Sequence, residues 1–156
     1  MEKISHNNFI NRRKFLSTAG VAATALAVSP RFAFAGLPAN DRKVRIGIVG
    51  GNFGAGFQFH EHPNCIVEAV SDLRPERRNR LMQVYKCTKA HESLEKLILD
   101  PKIEAVFIAT PASDHARHVL ATLNAGKHVL CAVPVALTLE DCAKILTVVK
   151  RTGLLI

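Results

Sequence analysis

Short apolar runs alternate with amphipathic stretches along the chain after residue 43. The apolar runs are continuous, without a polar residue at every second position, which is typical of parallel strands buried on both faces of a sheet. They predict strands over residues 44–49, 65–71, 88–90, 103–109 and 128–131, and a last apolar run covers 154–156. The amphipathic stretches predict helices over residues 75–86, 93–99, 113–125 and 138–151. This order predicts an α/β fold with a doubly wound parallel sheet.

Several residues at the predicted helix boundaries support these assignments. Pro75 suits the first turn of a helix, and Ser113 is the predicted N-cap of the third helix. Gly126 would end the helix that begins at Ser113. Thr138 and Asp141 have the spacing that approximates a capping box at the start of the fourth helix.

The first predicted strand runs directly into a glycine-dense turn, which the pattern predicts to open a helix. Such a turn holds the pyrophosphate of a dinucleotide, because bare backbone approaches the phosphates and the helix N-terminus offers unpaired N–H groups. Counted from Gly50, the Gly-x-Gly-x-x-Gly pattern has Asn52 at its second glycine and Ala55 at its third. Asn carries a Cβ where the ligand approaches most closely. An ordinary tight turn is the alternative to a phosphate site.

A carboxylate follows the second predicted strand, about 20 residues beyond the turn, as the dinucleotide fingerprint requires. Asp72 would accept hydrogen bonds from the adenosine ribose and repel a 2′-phosphate, which favours NAD over NADP. Arg74 complicates this choice, because with Arg77 and Arg78 it could pair with that phosphate. A solvated basic helix face is the alternative role of the three arginines.

The first 35 residues are typical of an export signal. Arg12 and Arg13 form a twin-arginine pattern, residues 16–28 form an apolar run, and residues 33–35 form a small-x-small cleavage site. The run is shorter than the ~20 residues that span a bilayer, so we expect a cleaved signal peptide, with an uncleaved anchor as the alternative. We therefore expect the twin-arginine export machinery as a partner, a periplasmic or other extracytoplasmic location, and a linker over residues 36–42.

Composition argues against two other kinds of site. Residues 1–35 hold five basic residues and one acid, so half of the formal charge of +8 belongs to the signal. The rest of the chain has one Tyr, no Trp and no basic run interleaved with aromatics, so we expect no nucleic-acid binding. The four cysteines and the histidines lack metal-site spacing, so we expect no metal and buried free thiols at Cys65, Cys87, Cys131 and Cys142.

Four segments together resemble the Gfo/Idh/MocA oxidoreductases. They are residues 47–54, 72–77, 109–115 and 125–134, in the order and spacing of that family. The resemblance implies an N-terminal Rossmann domain that binds NAD(P), followed by an α+β domain that binds a sugar, a cyclitol or a related polyol. It also implies that the Thr-Pro pair after the fourth strand lines the nicotinamide side, with a histidine nearby at the helix start. The alternative role for that histidine is capping and packing of the helix.

The glycine turn, the residues after the second predicted strand and the family resemblance together define the expected cofactor site. The expected cofactor-binding residues are Gly50, Gly51, Asn52, Phe53, Gly54, Ala55, Asp72, Arg74, Thr110, Pro111 and His115.

The family position that supplies a catalytic Lys is changed in this chain. In family members a Glu-Lys-Pro segment after the fifth strand places the Lys near nicotinamide and substrate, whereas here the segment is Ala132-Val133-Pro134. Valine can neither move a proton nor hold a charge, so we expect no catalytic residue at Val133. Cys131 has no identifiable base partner and is expected to be a small buried residue.

Two functions therefore remain open at this point. One is the NAD(P)-binding domain of a secreted oxidoreductase; the other is a non-catalytic or degenerate nucleotide-binding paralogue. Hydrolysis or elimination through transient oxidation is a third chemistry seen in some relatives. Because the apolar run at 154–156 stops within a predicted strand, we expect residues 43–156 to be a Rossmann domain cut short at its C-terminal end, lacking the second domain and inactive alone. A homo-oligomer is a further expectation for a full-length form.

Overall fold

A five-stranded parallel sheet organises the part of the chain that the computed structural model describes, residues 42–156. The predicted signal peptide and residues 36–41 of the linker lie outside the described residues. The strands are β1 Val44–Val49, β2 Cys65–Ser71, β3 Ala90–His91, β4 Ala105–Ile108 and β5 His128–Cys131. Their order across the sheet is β3-β2-β1-β4-β5, and every neighbouring pair is parallel. The predicted doubly wound α/β fold is confirmed.

Helices cover both faces of this sheet. They are α1 Pro75–Tyr85, α2 Leu94–Leu97, α3 Ala112–Asn124 and α4 Leu139–Thr152. One core packs the sheet against buried side chains of α2, α3 and α4, and the other packs it against α1. Within residues 42–156, none of the helices has the length and apolar character needed to cross a bilayer.

The segment after the glycine turn is not the helix that the sequence pattern predicts. It forms two short 3₁₀-helices, Phe53–Gly56 and Phe59–Glu61, separated by Gln58 in the left-handed region with φ 47°. Closely spaced glycines and aromatic residues have poor helix propensity. Here the aromatic rings gain more by packing on the sheet: the ring centroid of Phe107 lies 4.7 Å from that of Phe57 and 5.1 Å from that of Phe59.

The bounds of the third strand and the start of α3 also differ from the prediction. The third strand covers Ala90–His91 instead of 88–90, because its two pairing positions are opposite Val70 and Ser71 of β2. Ser113 is not an N-cap, since α3 begins one residue earlier, after Pro111. By contrast, the Thr138 side chain does cap α4, where its Oγ1 accepts from the Asp141 N–H at 3.1 Å.

The predicted strand at residues 154–156 does not form. The Leu155 carbonyl accepts a hydrogen bond from the Val129 N–H at 2.9 Å, and the Leu155 N–H donates to Nδ1 of His128 at 3.0 Å. The segment therefore follows β5 for one backbone hydrogen bond without the repeated pairing that defines a strand.

Candidate functional site

A cleft of about 440 Å³ opens at the carboxyl edge of the sheet, where β1, β2 and β4 end. β1 lies between β2 and β4 in the sheet, so the chain leaves it toward one side and returns on the other. Ligands of open α/β sheets bind at such a switch point. Seven of the predicted site residues line the cleft: Gly50, Asn52, Phe53, Asp72, Arg74, Thr110 and Pro111.

Two glycines of the turn are required by backbone contacts of the protein itself. Gly50 has φ +104°, and a Cβ there would lie 2.3 Å from the carbonyl oxygen of Ala109. A Cβ at Gly51 would lie 2.7 Å from Cβ of Arg77 and 2.8 Å from its carbonyl oxygen. The turn is therefore packed directly against the residue after β4 and against the first turn of α1. Asn52 is exposed with a right-handed backbone, φ −88°, so its position does not require glycine.

The other two predicted turn residues lie behind the cleft. Gly54 and Ala55 are both buried and do not line it. The Gly54 N–H donates to the Gly50 carbonyl at 3.1 Å, and the Gly54 carbonyl accepts from the Tyr85 hydroxyl. A Cβ at Gly54 would lie 3.2 Å from that of Ala109. Gly54 thus makes the close packing that the motif count assigns to Ala55.

Asp72 joins the end of β2 to the glycine turn. Its Oδ2 accepts from the Gly51 N–H at 2.7 Å, and its Oδ1 accepts from the Arg74 N–H at 2.9 Å. Each carboxylate oxygen has a second lone pair, so the half-buried side chain can still accept from hydroxyl groups in the cleft.

The three arginines after Asp72 have different positions. Arg78 donates through Nη1 to the Asp72 carbonyl at 2.8 Å, so its guanidinium supports the backbone. Arg74 and Arg77 line the cleft. Of the three, Arg74 and Arg77 are placed where they could meet a phosphate, and Arg78 is not.

Thr110 is held by two histidines of α3. Its carbonyl oxygen lies 2.7 Å from Nε2 of His115, and its hydroxyl lies 2.9 Å from Nδ1 of His118. Nδ1 of His115 lies 2.7 Å from the Pro134 carbonyl oxygen. His115 is 2% exposed and does not line the cleft, so the structure places it as a brace between the segments after β4 and β5. Both ring nitrogens face carbonyl oxygens of the protein, so the ring points away from the cleft.

The cleft also contains residues that sequence reasoning missed. Ser71 lies at the end of β2, and its buried Oγ has no hydrogen-bond partner within the described residues. The remaining additions are Val49, Leu73, Ser93, Leu94, Glu95, Ala109, Asp114, Arg117 and His118. Helical spacing is the sequence signal for three of them, because it puts Asp114, Arg117 and His118 on neighbouring turns of the helix that follows β4.

The segment after β5 carries no charged group at the family's lysine position. Val133 is 91% exposed. Burial raises the pKa of the Cys131 thiol to about 11, so the thiol is neutral and a poor nucleophile at pH 7. Among residues 42–156, no three His, Cys, Asp or Glu side chains are grouped so that they could hold a metal ion.

The sheet topology and the cleft at its carboxyl edge agree with a comparison of the sequence with known protein families. Residues 44–156 match the sequence model of the Gfo/Idh/MocA family, described as an oxidoreductase family with an NAD-binding Rossmann fold. The chain belongs to the Gfo/Idh/MocA family. Its resemblance to that family, inferred from four segments, is thereby confirmed, and NAD is the cofactor consistent with the family description.

Individual members of the Gfo/Idh/MocA family match the same part of the chain. A 1-carboxy-3-chloro-3,4-dihydroxycyclohexa-1,5-diene dehydrogenase of Comamonas testosteroni is 36% identical over 115 residues, which are 70% of this chain and 28% of the relative. A myo-inositol 2-dehydrogenase of Thermotoga maritima is 28% identical over 116 residues, 72% of this chain and 35% of the relative. This chain thus spans about a third of the length of these relatives.

A solved structure of a 3-ketoreductase from Actinomadura kijaniata, in complex with NADP and TDP-benzene, has the same fold. It superposes with a TM-score of 0.68 at 25% identity, over 74% of this chain and 37% of the ketoreductase. The described residues therefore correspond to about a third of that ketoreductase, and they share its Rossmann fold.

We expect Gly51→Ala to unfold more easily than the parent chain. The new Cβ meets Cβ and backbone of Arg77 below 3 Å, so the turn or α1 must shift, at a cost of about 1–3 kcal/mol in the free energy of unfolding. Urea unfolding followed by circular dichroism measures the change.

Gly56→Ala is the matched control for this substitution. A Cβ at Gly56 meets nothing within 4 Å and its φ is not positive, so the midpoint of unfolding should stay or rise slightly. Equal midpoints for the two variants would contradict the packing argument.

Proposed function

We propose that residues 44–156 bind NAD for an oxidoreductase that acts on a sugar, a cyclitol or a similar polyol. The observation that carries the proposal is the meeting of the glycine turn, Asp72 and Thr110 in one cleft at the switch point of the sheet. Bound NAD accepts or returns a hydride at its nicotinamide ring.

The residues present fit a dinucleotide. Gly50 lines the cleft, and without Cβ atoms at Gly50 and Gly51 the turn packs directly against the end of β4 and the start of α1. A pyrophosphate can lie in the cleft against the backbone of Asn52 and Phe53. Asp72 has the lone pairs to accept from the adenosine ribose. The unpartnered Ser71 hydroxyl beside it is a buried polar group of the kind that a ligand or an ordered water satisfies.

On the other side of the turn, Thr110 and Pro111 would contact the nicotinamide half. They follow β4, which is the neighbour of β1 opposite β2. His115 lies behind them, with its ring between the carbonyl oxygens of Thr110 and of Pro134 in the segment after β5. A dinucleotide placed in this way runs across the ends of β2, β1 and β4.

A polyol substrate is supported by the relatives and not by a substrate site in the described residues. The two relatives reported above are named for a dihydroxylated ring and for myo-inositol. Hydride transfer needs donor and acceptor carbons held about 3–3.5 Å apart, and this clamp is proposed to come from the part of the longer relatives that lies outside the match.

A non-catalytic nucleotide-binding paralogue is the second candidate function. Val133 favours it, because this exposed apolar side chain stands where the family resemblance expects the catalytic Lys. Both candidates share NAD binding, and they differ in whether any longer form of the protein turns over a substrate.

We also propose export by the twin-arginine route to a periplasmic or other extracytoplasmic location. The support is the Arg12-Arg13 pair, the apolar run after it and the Ala33-Phe34-Ala35 segment. All three lie outside the described residues. Because this route carries folded proteins, it suits a domain that binds its cofactor before export.

Asp72→Asn should reduce the preference for NAD over NADP. The amide oxygen can still accept from the Gly51 N–H, but the charge that favours ribose hydroxyls and repels a 2′-phosphate is lost. Since hydrogen bonds to charged groups contribute about 1.5–3 kcal/mol, we expect the NAD/NADP affinity ratio to fall roughly tenfold or more. Titration calorimetry with both cofactors measures it.

Asp114→Asn makes the same charge change elsewhere in the cleft, on α3, and should leave the ratio unchanged. An unchanged ratio in Asp72→Asn would show that Asp72 is not at the ribose.

The chain should have no dehydrogenase activity, and Val133→Lys should not restore it. A Lys alone does not bring donor and acceptor carbons together. Nicotinamide absorbance, followed with a panel of sugars and cyclitols for both proteins, provides the test, after NADH binding has been verified for each preparation. Substrate-dependent turnover by either protein would refute the proposal that the described domain is inactive alone.

Export should require Arg12 and Arg13, because the twin-arginine pathway recognises that pair. We expect the double Arg→Lys variant to stay in the cytoplasmic fraction, while the exported parent begins at Gly36. Arg31→Lys makes the same kind of change outside the pair and should be exported normally. Efficient export of the double variant would rule out this route.

A further inference from the structure

His118 connects a charged residue at the rim of the cleft to the Thr110 hydroxyl. Its Nε2 lies 2.8 Å from Nη2 of Arg117, and its Nδ1 lies 2.9 Å from Oγ1 of Thr110. His118 is 7% exposed, and all three residues line the cleft. The neighbours therefore determine which hydrogen bonds the ring can make.

The arginine determines the position of the ring proton. A guanidinium can only donate, so Nε2 of His118 must be the acceptor and carries no hydrogen. A neutral imidazole then has its hydrogen on Nδ1, which must donate to Oγ1 of Thr110. With Oγ1 already accepting this bond, the hydroxyl hydrogen of Thr110 is available to a third group.

The charged groups around His118 favour this neutral form. Burial lowers the pKa of His118, and the positive charge of Arg117 lowers it further. Asp114 and Glu95 oppose this effect, while His115 adds to it slightly. Both acids are themselves paired with Arg117, at 3.5 Å and 2.9 Å, and not with the imidazole.

We propose that His118 is a positioning residue that makes the Thr110 hydroxyl a hydrogen-bond donor toward an oxygen of the bound dinucleotide. The ligand part of this proposal rests on the proposed NAD-binding function; the tautomer part rests on the described contacts alone. Arg117 belongs to the same device, because without it Nε2 could carry the hydrogen and the roles of Thr110 and His118 could reverse.

The tautomer can be measured directly. Long-range ¹H–¹⁵N spectra of the full chain at neutral pH should show His118 with a protonated Nδ1 and a non-protonated Nε2, and the signal is assigned by its loss in His118→Asn. In Arg117→Met the ring should shift toward the Nε2–H tautomer. A purely structural role for His118 would not require this response. A parent protein with Nε2–H, or with both nitrogens protonated, would overturn the proposal.

The effect on cofactor binding is measured by NADH fluorescence. Thr110→Val and His118→Leu should each weaken NADH binding roughly 3- to 10-fold, the loss of one hydrogen bond. The double variant should bind no more weakly than Thr110→Val, because both changes remove the same interaction. His118→Asn keeps an N–H near the position of Nδ1 and should retain most of the affinity.

Ser113→Ala, an exposed change on the same helix and away from the cleft, is the control and should bind NADH like the parent. Additive losses in the double variant would overturn the positioning role. A parent chain with the expected tautomer but no NADH binding would overturn the proposed function and the ligand assigned to Thr110. The wrong tautomer with intact NADH binding would overturn the positioning role alone.

Discussion

The site depends on the backbone contact that Gly50 makes where three strands end. Its N–H donates to the Ser71 carbonyl of β2 at 2.9 Å, and its Cα faces the Ala109 carbonyl just after β4. The Ala109 N–H in turn donates to the Val49 carbonyl at 2.8 Å. Only a residue without Cβ, and with φ near +104°, fits between these groups. This contact draws the ends of β2, β1 and β4 together and so determines where the cleft opens.

A side-chain hydrogen bond from the end of β2 fixes the next residue of the turn, Gly51. Asp72 follows β2 directly, and its carboxylate binds the Gly51 N–H, so the acid and the turn are positioned by one hydrogen bond. Gly51 packs against Arg77 on α1, which begins three residues after Asp72. The glycine turn, Asp72 and α1 therefore form one packed unit, and a change in the position of one of them shifts the others. This explains why the features that the sequence shows about 20 residues apart are adjacent in the fold.

The sheet could be predicted from sequence because burial on both faces leaves a continuous apolar run, as in residues 46–49 and 105–108. The segment after the turn could not, since its conformation is decided by contacts distant in sequence. Phe57 and Phe59 pack on Phe107, some fifty residues away, and Tyr85 binds the Gly54 carbonyl. Similarly, the ring of His115 turns toward two carbonyl oxygens, one of them in the segment after β5, and not toward the cleft. Local patterns cannot report such partners.

The replacement of a helix by two 3₁₀ turns changes how a pyrophosphate would be held. A helix of several turns adds the field of its aligned peptide dipoles to the N–H groups at its start. A four-residue 3₁₀-helix has little of that field, so attraction for an anion must come from individual groups. The described residues offer two such groups at the right place: the backbone around Asn52 and Phe53, and the guanidinium groups of Arg74 and Arg77 at the cleft. In the proposed complex with NAD, the basic residues that complicate the choice between NAD and NADP would have a second role, because they would supply the positive charge that a longer helix would otherwise contribute.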